Sequence, residues 1–314
     1  MIRSVRPTDL VALIELYRRG FVDEAQPACE MIAQDRKRAR AGKLIEHWLS
    51  LEENRHTWIS VEGRTVRGLI SARSLPGNTA WEIDRFLFAQ GDEDTAVGVE
   101  MLDRVSAAAC ELGVHRIFLR LARGSAALDA ACRAGFFPYT LEVLYRREAA
   151  EVDRPFPTCN GMLTLRRKGG TDEHALFRIY TEVAPGRVRQ AEGLTLQEWR
   201  QARERCLGQG KRQELVIEMD GTPVGWLHVF TMDRAGRLDL LVRPEAEAHL
   251  DYLLKYSLAV LRGRSPVICL VPEFQGRLRS LLEKHNFEPV EEYYALVKQL
   301  AARVHRTALV PARV

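Results

Sequence analysis

The chain has 314 residues, 46% hydrophobic and 28% charged, with a formal net charge of +4. That length allows two domains of ordinary size, and the composition is that of a globular protein. No run approaches the roughly 18 consecutive apolar residues of a membrane span, and Met1 to Pro7 lacks the apolar centre of a secretory signal, so the cytoplasm is the expected compartment. The six cysteines (Cys29, Cys110, Cys132, Cys159, Cys206 and Cys269) are scattered, with no C-x-x-C pair and no histidine at metal-ligand spacing. Free thiols and no metal are expected.

In chain order, residues 2–5 read as a short strand. Pro7-Thr8-Asp9 then starts a helix to about Arg19, with Leu10, Leu13, Ile14 and Tyr17 on one face. A second helical stretch covers about 28–51. It holds the one basic run, Arg36 to Lys43, which reads as a solvated face because apolar residues flank it. Strands follow at 57–61, 66–74 and 80–88. The turns between them, at Gly63 and Pro76-Gly77-Asn78, make them antiparallel neighbours. Residues 96–112 have helical periodicity and stop at Gly113. A buried strand at 115–121, a short helix at 126–134 and a strand at 139–146 close the first half.

Residues 149–161 contain Pro155, Pro157 and Asn160-Gly161 and read as a linker. The second half then gives the same order: strand 162–166, helix 172–183, helix 196–205, strands 214–219, 224–231 and 237–242, helix 249–262, strand 267–271, helix 276–284 and strand 293–298. Two landmarks recur about one domain length apart. The turn Glu62-Gly63-Arg64-Thr65-Val66 matches Asp220-Gly221-Thr222-Pro223-Val224, and Ala134-Gly135-Phe136 matches His285-Asn286-Phe287. The expectation is an α/β fold with a mixed sheet and helices on both faces. The domains are expected at 1–149 and 162–300, with a linker at 150–161 and a tail at 301–314.

This order, given twice, resembles the GNAT superfamily of N-acetyltransferases in tandem. So do the opening Ile2-Arg3-x-Val5-x-x-x-Asp9, the pair Gly135-Phe136 and the turn at Asp220 to Gly225. The resemblance implies acetyl-CoA as co-substrate, no metal, and a small-molecule or peptide amine as acceptor. It also implies a fourth and a fifth strand that part to admit the pantetheine arm, and a glycine-rich loop that closes on the pyrophosphate. Here the loop is degenerate. In the first copy, Thr95, Ala96, Val97, Gly98 and Val99 would face the phosphates, with Gly98 as the one motif glycine. Phe86 and Phe88 would flank the arm, with Leu240 and Val242 as second-copy counterparts. Three acids, Asp92, Glu93 and Asp94, stand beside that loop, and the second copy, Val242 to Tyr252, has no glycine.

Glu82 sits where the resemblance implies a general base. Strand alternation would set Glu82, Asp84, Phe86 and Phe88 on one face, so that one carboxyl of the Glu82–Asp84 pair would be raised. In the second copy Asp239 and His228 read as weaker candidates. The segment Arg187 to Thr195 reads as a solvated loop in a region that such proteins use to cover the acceptor. The positions matching the family's thiolate-protonating tyrosine are Ala131 and Leu282, and neither can donate a proton. Two other readings stay open: a catalytically degenerate binding module, and, on Arg36 to Lys43 alone, a nucleic-acid binder, which the mild net charge disfavours. Homodimer formation and the identity of the acceptor are left open by the sequence.

Overall fold

Both halves begin with the same clamp. Arg3 donates two hydrogen bonds to Asp9, at 2.7 and 2.6 Å, and Arg166 donates two to Asp172, both at 2.7 Å. Each aspartate also accepts the main-chain N–H three residues before it, from Arg6 and Gly169. These bonds from arginine hold both carboxyls below the usual range. The clamp ties a strand to the helix that follows it.

The protein is described here from a computed structural model, over residues 1–18, 23–27, 54–63, 65–88, 92–148, 163–205, 210–232 and 234–301. The expected helical stretch at 28–51 with its basic run, and the expected linker, lie outside these residues. The first half runs β1 (Ile2–Ser4), α1 (Leu10–Arg18), β2 (Arg55–Glu62), β3 (Thr65–Ser74), β4 (Ala80–Phe88), α2 (Asp92–Glu111), β5 (Arg116–Ala122), α3 (Ala127–Arg133) and β6 (Phe137–Arg147). The second half runs β7 (Leu163–Arg167), α4 (Glu173–Val183), α5 (Gly186–Glu192), α6 (Leu196–Arg205), β8 (Lys211–Met219), β9 (Thr222–Met232) and β10 (Ala235–Val242). It closes with α7 (Leu250–Val260), β11 (Val267–Pro272), α8 (Gly276–Lys284) and β12 (Glu288–Gln299).

One 12-stranded sheet contains them all, in the order β1-β2-β3-β4-β5-β12-β6-β11-β10-β9-β8-β7. The closing strands have changed places. β12 pairs antiparallel with β5, β6 pairs antiparallel with β11, and the two pair with each other at the centre. Periodicity finds a strand but not its partner, so this exchange leaves no mark in the residue pattern. Each half packs its last two helices on one sheet face. Met101, Leu102, Val105 and Ala131 meet Trp81, Ile83 and Phe86 in the first, and Leu250, Leu254 and Leu282 meet Leu238 and Leu240 in the second.

The repeated turns carry matched glycines with a shared reason. A Cβ on Gly68 would lie 2.8 Å from the Leu87 carbonyl oxygen, and one on Gly225 would lie 2.8 Å from that of Leu241. Only glycine lets the third strand of each half approach the fourth there.

Candidate functional site

In each half the fourth and fifth strands are parallel and soon part. β4 and β5 stay in register at three positions, Ala80↔Arg116, Trp81↔Ile117 and Glu82↔Phe118. β10 and β11 do so at two, Gly236↔Val267 and Arg237↔Ile268. Beyond these pairs the strand ends diverge, and main-chain groups that a zipped sheet would satisfy face a cleft.

The first cleft is filled by the chain itself. Residues 23–27 lie between β4 and β5. Glu24 N–H donates to the Phe86 carbonyl (2.9 Å), Gln26 N–H donates to the Arg120 carbonyl (3.0 Å), and Ala25 bridges Leu121. Asp23 Oδ1 accepts the Phe86 N–H at 2.9 Å. Glu24 is buried, and its carboxylate accepts from the Ser125 hydroxyl at 2.6 Å. Both main-chain groups of Phe86 are therefore committed.

Alternation along β4 does not hold. A register shift opposite Ser71 and Ala72 inserts one extra residue, and this bulge turns everything after it over. Trp81, Ile83, Phe86 and Phe88 consequently share one core cluster, while Glu82 stands on the other face. There Glu82 is ion-paired with Arg73 (2.5 Å), and Asp84, fully buried, with Arg55 (2.7 Å). The two acids thus hold separate cations, and Phe86 and Phe88 are not on their face. The expected phosphate loop differs too. α2 already begins at Asp92, so residues 96–99 lie in its second turn, where N–H groups are spent on helix bonds. Thr95 is half-buried and Ala96 exposed. Val97 and Val99 pack on the core, and Gly98 is small because Ala130 and Phe88 press on it, at 3.1 and 3.4 Å from a Cβ built there.

The second cleft is different. Gly236 N–H donates to the Pro266 carbonyl (2.9 Å), so by alternation the polar groups of residues 238, 240 and 242 also face the cleft. The Leu240 carbonyl accepts the side-chain amide of Gln275 at 3.3 Å. Among the described residues, no main-chain segment is laid between β10 and β11 as residues 23–27 are between β4 and β5. Leu240 and Val242 turn their side chains into the core and offer the cleft their backbone. After β10 the chain makes a 3-10 turn, Pro244–His249, flanked by Arg243 (2.7 Å from Glu182) and Arg277 (3.5 Å from Glu247).

Beside the end of β11 lies Glu192, which the sequence marks only as one charge of a loop that could meet a charged acceptor. The segment expected to be a loop forms α5, with Pro185 as N-cap and Gly193 left-handed at its C-cap. Arg187 of α5 pairs with Glu273, the residue after β11. Arg116 donates to the carbonyls of Glu192 and Gly193, at 3.1 and 3.0 Å. This fixes Glu192 between two phenols: Tyr180 donates to one oxygen and Tyr139, at 3.5 Å, to the other. Burial pushes the Glu192 carboxyl up to about 7. The Tyr180 bond and the Arg120 charge oppose that rise, and Glu142 adds to it. Arg120 is itself held by Glu142 at 2.6 Å. Tyr180 packs in the same cluster as Leu241 of β10, which brings this group to the second cleft's side of the sheet.

Asp239 and His228 face each other across β10 and β9, 3.5 Å apart, and Arg237 donates to Asp239 at 2.9 Å. Burial pushes Asp239 up, but Arg237 and His228 outweigh it and hold the carboxyl at about 2. Asp239 is therefore a fixed counter-ion. The buried His228 Nε2 has no hydrogen-bond partner among the described residues. Also among the described residues, no cluster of three metal-ligating side chains occurs and no helix is long and apolar enough to cross a membrane.

No protein-family model matches the sequence, and no curated protein does. Solved structures do. A GCN5-related N-acetyltransferase from Sphaerobacter thermophilus is 17% identical with a TM-score of 0.58, over 95% of both chains. A tandem GNAT protein from the clavulanic acid biosynthesis pathway is 14% identical with a TM-score of 0.56, over 95% of this chain and 98% of that one. A putative acetyltransferase from Pyrococcus horikoshii is 11% identical with a TM-score of 0.53, over 96% of this chain and 89% of that one. At these identities the likeness concerns architecture, and it spans both halves: the chain has the tandem GNAT fold.

Proposed function

We propose that the protein is an acyl-CoA-dependent N-acyltransferase that works through its second half. The β10–β11 cleft is the observation that carries this reading. It parts after two paired positions and turns the main-chain groups of residues 238, 240 and 242 toward the space an extended amide-bearing arm would take. The Gln275 amide on the Leu240 carbonyl stands in for one such amide. The residues thus fit the pantetheine arm in the second half. They fit it poorly in the first, where Asp23 and Glu24 occupy the Phe86 backbone.

Acetyl-CoA, once bound, supplies an activated thioester. The protein's own part is to bind the arm, orient the amine and remove its proton. An amine is a nucleophile only when neutral, and a carboxylate with a pKa near 7 accepts a proton at neutral pH far better than an ordinary glutamate. Glu192, at about 7, has that property and carries two phenol donors that keep its oxygens aimed. Glu82 is committed to its ion pair with Arg73. The exposed Arg187 and the pair Arg120–Glu142 border the same region and suit an acceptor with charges of both signs. For the second cleft, Arg243 and Arg277, which flank the turn after β10, would meet the phosphates.

Isothermal titration with acetyl-CoA tests the proposal. One molecule should bind per chain. No heat at millimolar ligand would sink it, and two molecules per chain would sink the assignment to one half.

A further inference from the structure

At the opposite end of the second half, a cavity of about 540 Å³ opens beside the start of β8, the end of β9 and the C-terminus of α7. Among the described residues, its wall carries Arg167, Lys168, Lys211, Arg212, Arg262 and Arg264, against a single carboxylate, Glu214. Glu214 is already shared by Lys168 (3.1 Å) and Arg212 (3.3 Å), and Lys168 also holds Glu173 (2.5 Å). Among the described residues, Arg167, Lys211 and Arg262 have no carboxylate partner. Three such cations, exposed around one hollow, repel each other, and an anion placed among them relieves that repulsion.

The cleft between β10 and β11 opens at the other end of α7. Eleven helical residues separate the two, roughly 16 Å. The cavity is therefore not the far end of the acyl-CoA site, and this inference stands independently of the proposed function. Its size suits a small molecule rather than a single ion. Four of the six cations are arginines, whose planar forks bind phosphate oxygens two at a time. Among the described residues no aromatic side chain lines the hollow, so they offer no platform on which a nucleobase could stack.

From this geometry we infer a second ligand site, one for a small polyphosphorylated molecule recognised by its phosphates and not by a base. Charges on the ligand would replace the missing carboxylates, and binding would stabilise the fold by mass action.

The probe is inorganic tripolyphosphate, followed by thermal shift and by calorimetry at physiological salt. Saturable binding at one per chain, with a rise in melting temperature, is the expected result. Among the described residues, the double variant Lys211→Gln/Arg262→Gln breaks no ion pair. It should melt at or above the wild-type temperature without ligand and bind tripolyphosphate at least about tenfold more weakly. A rise matched by sodium chloride at equal ionic strength, or unaltered binding by the variant, overturns the site. Equal affinity for citrate overturns the phosphate assignment. Tighter binding of a single-stranded oligonucleotide through the same two residues would replace the small ligand by a nucleic-acid backbone.

Discussion

Glu192 combines two properties that usually exclude each other, being largely withdrawn from water and yet tied to phenols that stabilise its charge. Its carboxyl sits at about 7 against an ordinary 4.5, so the folded state holds this proton more tightly than the unfolded chain does. The stabilisation from that proton is complete below pH 4.5 and is lost as pH rises through about 7. Glu192→Gln keeps the side-chain shape but only one acceptor oxygen, so one of the two phenols must turn to accept from its amide, and it cannot take a proton. We expect turnover to fall about a hundredfold or more, with the rise in rate between pH 6 and 8 abolished. The same variant should be more stable than wild type at pH 8, by up to about 3 kcal/mol, and nearly equal to it at pH 4. Urea unfolding at the two pH values checks this, and equal effects at both would remove the argument. Asp84 is the contrast. It is fully buried against Arg55, so Asp84→Ala strands a cation and should cost about 3 kcal/mol or more in unfolding experiments. Its acetyl-CoA affinity at low temperature should be unchanged. Glu82, Asp84 and Asp239 could be picked from the sequence because they are acids in strands. Glu192 could be read only as a loop charge near an acceptor and not as a base, because β5 and β6, which bring Arg120, Tyr139 and Glu142 to it, lie roughly 50 or more residues away in the chain.

At the scale of elements, the two clefts differ in what lies between their strands. Asp23 is the anchor of the segment in the first cleft: it accepts from Phe86 and Ala25 and sits 3.5 Å from Arg85. Asp23→Ala removes these bonds and should destabilise the protein by about 1–3 kcal/mol. If the second half alone binds the acyl donor, that variant still takes up one acetyl-CoA per chain; a second site appearing in calorimetry would mean that the first cleft is merely closed by this segment. The strands and helices were mostly legible in advance, because alternation and helical periodicity survive even where motifs decay, and the boundaries of β4 and α8 agree to the residue. Two local events were not legible. One is the bulge in β4, since an inserted residue leaves composition unchanged while reversing every side chain after it. The other is α5, although Pro185 before it and Gly193 after it are the start and stop signals of a short helix. A loop that would cover an acceptor is instead a clamped helix, held by Arg116 from the other half.

For the whole molecule, exchange of β6 and β12 makes the two halves inseparable in a way the repeat alone does not require. Each strand closes a sheet begun by the other half, so cutting the chain between residues 149 and 161 would leave β5 without β12 and β11 without β6. Long unpaired edges of this kind bind other chains or aggregate. The buried residues Tyr145, Val143, Tyr293 and Leu296 would lose their neighbours in the same cut: the first two belong to the second half's core, and Leu296 to the first half's. An intact chain should therefore unfold in one calorimetric transition, with agreement between van't Hoff and measured enthalpies, rather than in the two steps of independent domains. Residues 1–149 and 162–314 expressed apart should be insoluble or molten, and the two expressed together should recover a 1:1 complex with the wild-type near-ultraviolet spectrum. A soluble, cooperatively folded first half alone would show that β6 can turn back to pair with β5, and the exchange would then be one arrangement of two. The coupling has a functional side. Glu192 belongs to the second half, while Tyr139, Arg120 and Arg116, which set its position and its proton affinity, belong to the first. On this reading the first half needs no acyl donor of its own, because its β5 and β6 build the floor on which the second half's base works.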